Sequence, residues 1–226
     1  VGLLNFLLAI FNLIPAFPMD GGRVLRAFFT IWKKDLIEAT QIAVSIGRFF
    51  AILMLFIGFI GNFWLMIIGV FIYWGANQEL QATKLAVMLK PISVGDVMLS
   101  IDNVMTVNPS TPLYEALDLM FRARINELIV CDEGDLLGIV TWDDIIKTAP
   151  ESRSNSSVAD LRIKPLSILP DRSVFDAYKL MVKEKTNLIP VTDSNAPCNI
   201  IGVITNQSIA YGVALARPID YQHLGY

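Results

Sequence analysis

Hydrophobic positions fall into two regimes along this chain. Up to about residue 90 they form long, nearly unbroken runs; beyond Pro91 they recur at short spacings among polar residues. The first run, Val1 to Phe11, reads as the end of a membrane-spanning helix. Pro15 and Pro18 stop it, because each lacks an N–H and restricts the residue before it. Asp20-Gly21-Gly22 then opens a short helix to about Trp32. A second apolar stretch, from about Leu36 to Gly75, exceeds the roughly 20 residues that one span needs. Gly58, Gly61 and Asn62 offer a turn inside it, which predicts a helical hairpin with spans near 38–59 and 63–82. One long tilted span is the alternative. Trp32, Lys33 and Lys34 suit a cytoplasmic interface, and Trp64, Tyr73 and Trp74 suit interfacial depths. Arg48 falls mid-span and is expected to pair inside the bundle or to snorkel.

The second half repeats itself. Pro109, Ala116 and Met120 align with Pro170, Ala177 and Met181 at an offset of 61. Asn126, Val130 and Asp132 align with Asn187, Val191 and Asp193 at the same offset. After a short insertion, GIVTWDD (138–144) aligns with GVITNQS (202–208) at an offset of 64. Each copy predicts a short strand, an amphipathic helix, two apolar strands and a second helix. Neither copy can bury both faces of its sheet alone, so the two are expected to pack as a pair. The polar stretch 151–157 reads as a flexible linker. The predicted domains are 1–90, a membrane part; 91–150 and 151–210, the two repeats; and 211–226, a tail.

Charge follows the same division. Residues 1–90 carry seven Lys/Arg against four acids, and the rest of the chain 11 against 17. The basic residues are few and scattered, which argues against nucleic-acid binding. Cys131 and Cys198 are read as free thiols rather than a disulfide framework. The chain starts with Val inside an apolar run, so it is expected to be the C-terminal fragment of a longer protein.

Asp20 carries the candidate chemistry. A carboxylate at the mouth of a membrane helix can cap the orphan N–H groups of the helix that follows. It can also serve as a metal ligand or proton carrier, since ionisable groups at membrane depth default to function. Gly21 and Gly22 let another backbone come close. A catalytic zinc needs about three protein ligands and an open position for water. The one histidine, His223, sits in the tail and reads as a surface group.

The series Asn12-x-x-Pro15-x-x-Pro18-x-Asp20-Gly21 resembles the second signature of the site-2 protease family of intramembrane zinc metalloproteases. In that family an upstream helix carries HExxH, whose histidines bind zinc and whose Glu activates water. The resemblance implies that Asp20 is the third zinc ligand. It also implies that Asn12 orients the substrate backbone or stabilises the oxyanion, and that the substrate is a membrane-spanning protein. No HExxH is present here, so the expected fragment would be inactive alone.

The repeat resembles a tandem pair of cystathionine-β-synthase (CBS) domains over about residues 92–210. Its signature is Gly138, Thr141 and Asp144, residues that in the family commonly hold the phosphate and ribose of an adenine nucleotide. That implies ATP, AMP or S-adenosylmethionine as ligand, a cytoplasmic CBS pair, and pairing into homodimers. Thr141 and Asp144 also fit a helix capping box. The second copy keeps Gly202 and Thr205 but has Ser208 in place of the Asp, so at most one good nucleotide site is expected. The fold class is thus a multi-pass α-helical membrane domain followed by an α/β tandem CBS pair. The alternatives are a CBS-regulated transporter or channel, with Asp20 and Arg48 lining an ion path, and an inactive protease homologue.

Overall fold

The computed structural model describes residues 2, 5, 6, 9, 12–100, 104–194, 196 and 199–216. The chain divides into two compact units, Val1–Met88 and Leu89–Tyr226. Cys198 and His223 lie outside the described residues.

In the first unit an irregular loop over residues 13–19 leads into α1 (Asp20–Lys33). Lys34, in the left-handed conformation at φ 57°, ends α1. Asp35 starts α2 (Leu36–Gly61) by accepting hydrogen bonds from the N–H groups of Ile37 and Glu38, a side-chain cap of the usual kind. Asn62 leaves the helical conformation at φ −145°, and its side chain accepts from the Trp64 N–H at the start of α3 (Phe63–Leu89). The single long span is therefore not formed: the apolar stretch breaks at Asn62 into two helices. A Cβ on Gly58 would lie 2.4 Å from the Met66 nitrogen, and one on Gly69 would lie 2.8 Å from the Ala51 carbonyl oxygen. The glycines thus let α2 and α3 touch backbone to backbone, as small residues do between membrane helices. Among the described residues, α2 alone is long and apolar enough to cross a membrane by length and composition. α3 extends beyond the expected residue 82 through a more polar end.

The second unit holds the repeats. The first runs β2 (Thr106–Val107), α5 (Leu113–Ala123), β3 (Glu127–Asp132), β4 (Asp135–Thr141) and α6 (Trp142–Ile146). The second runs α7 (Val174–Glu184), β5 (Leu188–Thr192), β6 (Ile200–Thr205) and α8 (Asn206–Ala216). Before them come α4 (Val94–Val97) and β1 (Leu99–Ser100). Leu113, Ala116 and Met120 are buried on α5, and Val174, Ala177 and Met181 on α7, the same positions 61 residues apart. This one-sided pattern is the amphipathic stripe that seats a helix on a sheet.

The two repeats complete each other. Sheet order is β2-β3-β4 in one and β1-β6-β5 in the other. β1 precedes the first repeat in sequence yet pairs with β6 of the second, Leu99 against Val203. In return, Lys164 bridges Ile139 of the first repeat, and Val158 joins its core beside Leu113, Met120 and Val140. The contacts are matched: Val94 N donates to Arg172 O and Gly95 N to Pro170 O, while Val158 N donates to Thr111 O and Ala159 N to Pro109 O. The stretch 151–157, expected to be a flexible linker, is instead tied down. Leu113 N donates to Ser156 O, and the Arg153 side chain donates to the carbonyls of Thr148 and Ile146.

Candidate functional site

The loop before Asp20 is gripped by glycines from three helices. A Cβ on Gly22 of α1 would sit 2.7 Å from the Phe17 nitrogen, one on Gly47 of α2 3.3 Å from Ala16 Cα, and one on Gly75 of α3 2.8 Å from Pro18 Cδ. A Cβ on Gly21 would lie 2.3 Å from the Ile14 carbonyl oxygen. Ala16 and Phe17 are fully buried. Phe17 packs among Ala43, Val44, Ala76 and Leu80, and Ala16 beside Ala51 and Ile72. The Pro-rich loop is therefore an inserted part of the helix packing, and the Asp-Gly-Gly series is what brings its backbone against α1.

Asp20 is the first residue of α1. Met19, extended at φ −73°, ψ 161°, takes the cap position and makes no side-chain bond. The capping alternative for Asp20 is thus not realised. Its side chain is 73% exposed, and among the described residues its closest cation is Arg23 Nη1 at 3.8 Å. The carboxylate is free to accept from something else, at a helix start whose partial positive charge favours an anion. Asn12 is helical and half-buried, at the other end of the loop.

A zinc ion finds one suitable donor here, since carboxylate oxygens are regular zinc ligands. Among the described residues no three His, Cys, Asp or Glu side chains gather to hold a metal. Asp20 therefore fits as a single ligand. Arg48 is not brought to Asp20: its guanidinium donates to Asn77 Oδ1 and lies 6.0 Å from the Tyr73 ring centre. Among the described residues no contact joins Asp20 to Arg48, as an ion path through the two would need.

Thr141 and Asp144 form the reciprocal capping box at α6. Thr141 Oγ1 accepts from the Asp144 N–H at 3.3 Å, and Asp144 Oδ2 accepts from the Thr141 N–H at 3.2 Å and its hydroxyl at 2.6 Å. Lys147 and Lys164 reach the same carboxylate at 3.3 and 3.4 Å. Burial works against ionisation of Asp144, but the Thr141 hydrogen bonds, the Lys164 charge and Lys147 outweigh it and hold its pKa below the usual value. These two residues line a cleft of about 390 Å³ with Lys147, Lys164, Lys185 and Glu127. Gly138 is not in that lining. It stands in β4 at φ 146°, where a Cβ would lie 2.1 Å from the Lys164 carbonyl oxygen. It holds the closing strand of the repeat, and its contact with the cleft is indirect, through Lys164.

Sequence reasoning passed over Lys147, Lys164 and Lys185. Lys147 follows Asp144 by one helical turn and was readable as an i, i+3 partner. Lys164 and Lys185 arrive from other segments and leave no local signal.

Comparison with known proteins agrees with this division. Residues 1–56 match peptidase family M50, and residues 94–151 and 158–214 match the CBS domain. A zinc metalloprotease of Methanocaldococcus jannaschii is 34% identical over 80% of this chain and 51% of its own length. Rip3 of Mycobacterium tuberculosis, named as a zinc metalloprotease, is 27% identical over 91% of this chain and 55% of its own length. The chain thus spans about half the length of the curated relatives it matches. The CBS domain of a bacterial CNNM/CorC family Mg²⁺ transporter, solved in complex with ATP, superposes with a TM-score of 0.50 at 17% identity, over 61% of this chain and 97% of that one; it shows the fold of the pair. With the Asn12–Gly21 series in the matched region and the interlocked repeats behind it, the chain belongs to peptidase family M50, the site-2 protease family, and carries a tandem CBS pair.

Proposed function

We propose that this chain forms part of an intramembrane zinc endopeptidase that cleaves membrane-spanning proteins, joined to a cytoplasmic CBS pair that responds to an adenine nucleotide. The observation that carries the reading is the state of Asp20. Three helices hold the loop that delivers it, yet its carboxylate caps nothing and stays open.

In this reading Asp20 contributes one oxygen ligand, and the remaining ligands come from residues outside those described, as the HExxH signature of the family implies. Zinc, when bound, supplies Lewis-acid polarisation of the scissile carbonyl and an ionised water at neutral pH. Asn12 donates its side-chain amide to the substrate backbone. That contact matters because a spanning helix satisfies its own hydrogen bonds and must unwind locally to be cut. α2 crosses the membrane and α3, through its apolar first half, crosses back, returning the chain to the side of Lys33 and Lys34, where the CBS pair meets cytosolic nucleotides. There Thr141 and Asp144 face the ribose, and Lys147, Lys164 and Lys185 face phosphate. The nucleotide acts only through a difference in affinity between two states of the pair, and two copies associate through their CBS units.

The test is cleavage of a single-span substrate by the full-length protein in liposomes. Asp20→Ala is expected to lower the rate by at least about 100-fold, more than outer-shell changes at metal sites do. A wild-type rate in that variant would contradict the proposal. Titration of the full-length protein with ATP, AMP and S-adenosylmethionine tests the regulatory part, and absence of binding by all three would remove it.

A further inference from the structure

Charged side chains are scarce in residues 1–90, and among the ion pairs they form the least exposed is Arg26 with Glu79. Arg26 of α1 reaches Glu79 of α3, Nη1 to Oε1 at 2.5 Å, with the side chains only 27% and 31% exposed. The same guanidinium lies over the Phe17 ring, 5.5 Å from its centre. Phe17 is fully buried between α2 and α3. It precedes Asp20 by three residues, and Arg26 follows Asp20 by six. Arg26 therefore touches the chain on both sides of Asp20: it is part of the helix that Asp20 begins, and it stacks on the loop that leads to Asp20. Because Asp20 makes no capping bond of its own, its place is set by those two flanks.

We propose that Arg26 and Glu79 are positioning residues for Asp20, locking the loop and the start of α1 against α3 so that the carboxylate is held where a metal binds. This rests on the reading of Asp20 as a zinc ligand. The physical case is the asymmetry of a partly buried ion pair: removing one partner strands the other charge in an apolar setting, and the neighbourhood moves to accommodate it. Partners that orient a metal ligand without touching the metal typically change metal affinity by about 10–100-fold. If the pair served only to neutralise two charges within the bilayer, zinc affinity would not follow it.

The test uses purified full-length protein, with zinc affinity measured by competition against a chelator and the ligand field read from the visible spectrum of the cobalt(II)-substituted form. Glu79→Gln keeps the size of the side chain and removes its charge. It is expected to weaken zinc binding by about 10–100-fold and to shift the cobalt bands, while the charge-swapped Arg26→Glu/Glu79→Arg protein recovers most of the loss. Unchanged affinity and bands in a folded Glu79→Gln protein would overturn the proposal, as would a folded swap that recovers nothing. If Glu79→Gln does not fold, Glu79→Asp decides, since it keeps the charge and only shortens the reach to Arg26. A several-fold loss of zinc affinity supports the proposal, and wild-type affinity overturns it. Asp20→Ala separates the layers. Zinc retained by that variant removes the ligand reading and this proposal together, whereas zinc lost there but kept in Glu79→Gln removes the positioning role alone.

Discussion

Asp20 and Asp144 each stand in the first turn of a helix, and they are used in opposite ways. Asp144 sits at the third position of α6, with a side chain only 18% exposed, and its oxygens are engaged by Thr141, Lys147 and Lys164. Asp20 sits at the first position of α1, 73% exposed, and among the described residues its one ion pair is the loose, exposed contact with Arg23 at 3.8 Å. Asp144 caps its own helix and spends part of its acceptor capacity there, at the edge of the cleft. Asp20 leaves that task to backbone packing, since Gly21 and Gly22 press α1 against residues 13–17. A carboxylate kept out of local hydrogen bonds, at a position the rest of the unit is built to hold, is available for a ligand.

The comparison can be broken where the backbone makes it. Gly138→Ala is expected to have the largest effect on the CBS pair, because its Cβ would meet the Lys164 carbonyl at 2.1 Å and its φ of 146° disfavours any side chain. In the membrane unit Gly21→Ala should cost about 1–3 kcal/mol or more by overpacking, because the atom it meets is a carbonyl oxygen of the main chain. Gly61→Ala is the control, with nothing within 4 Å of the added carbon. Thermal unfolding of the three variants in detergent should rank them in that order, with Gly61→Ala near wild type.

Asp144→Ala is expected to cost about 1–2 kcal/mol, the scale of a lost cap with its charged partners. Hydrogen exchange at residues 141–147 reads it locally. The same site gives a pH dependence. Because the folded pKa of Asp144 lies below its ordinary value, its contribution is complete above the unfolded pKa and is lost as pH falls through the folded one. Protection of α6 should therefore weaken with acid in the wild type and show no such step in Asp144→Asn. The smallest effect is predicted for Ser208→Ala. Ser208 takes the place of the Asp in the second copy, accepting the Thr205 N–H at 2.9 Å with no lysine beside it among the described residues, so the loss should be about 0.5–1 kcal/mol.

Patterns that repeat locally were legible in the sequence, and exchanges between distant segments were not. The 61-residue offset announced Leu113, Ala116 and Met120 with their counterparts on α7 as one buried stripe. Nothing periodic announces that β1 belongs to the sheet of the second repeat, or that Val158 and Lys164 close the first. Those pairings are long-range and depend on which edge strand each sheet lacks. The same holds at the site. The Asn-Pro-Pro-Asp-Gly spacing pointed to Asp20. Whether Asp20 or Met19 caps α1 turned on a single residue's backbone angles, and Arg26 meeting Glu79 joins two helices 53 residues apart in sequence.

The central claim is that Asp20 is held open in order to bind metal. It is tested most directly by the zinc content of the purified full-length protein, wild type against Asp20→Ala, with Asp144→Ala as the companion variant. The account predicts loss of bound zinc in Asp20→Ala and wild-type zinc in Asp144→Ala. Full zinc in Asp20→Ala would contradict it.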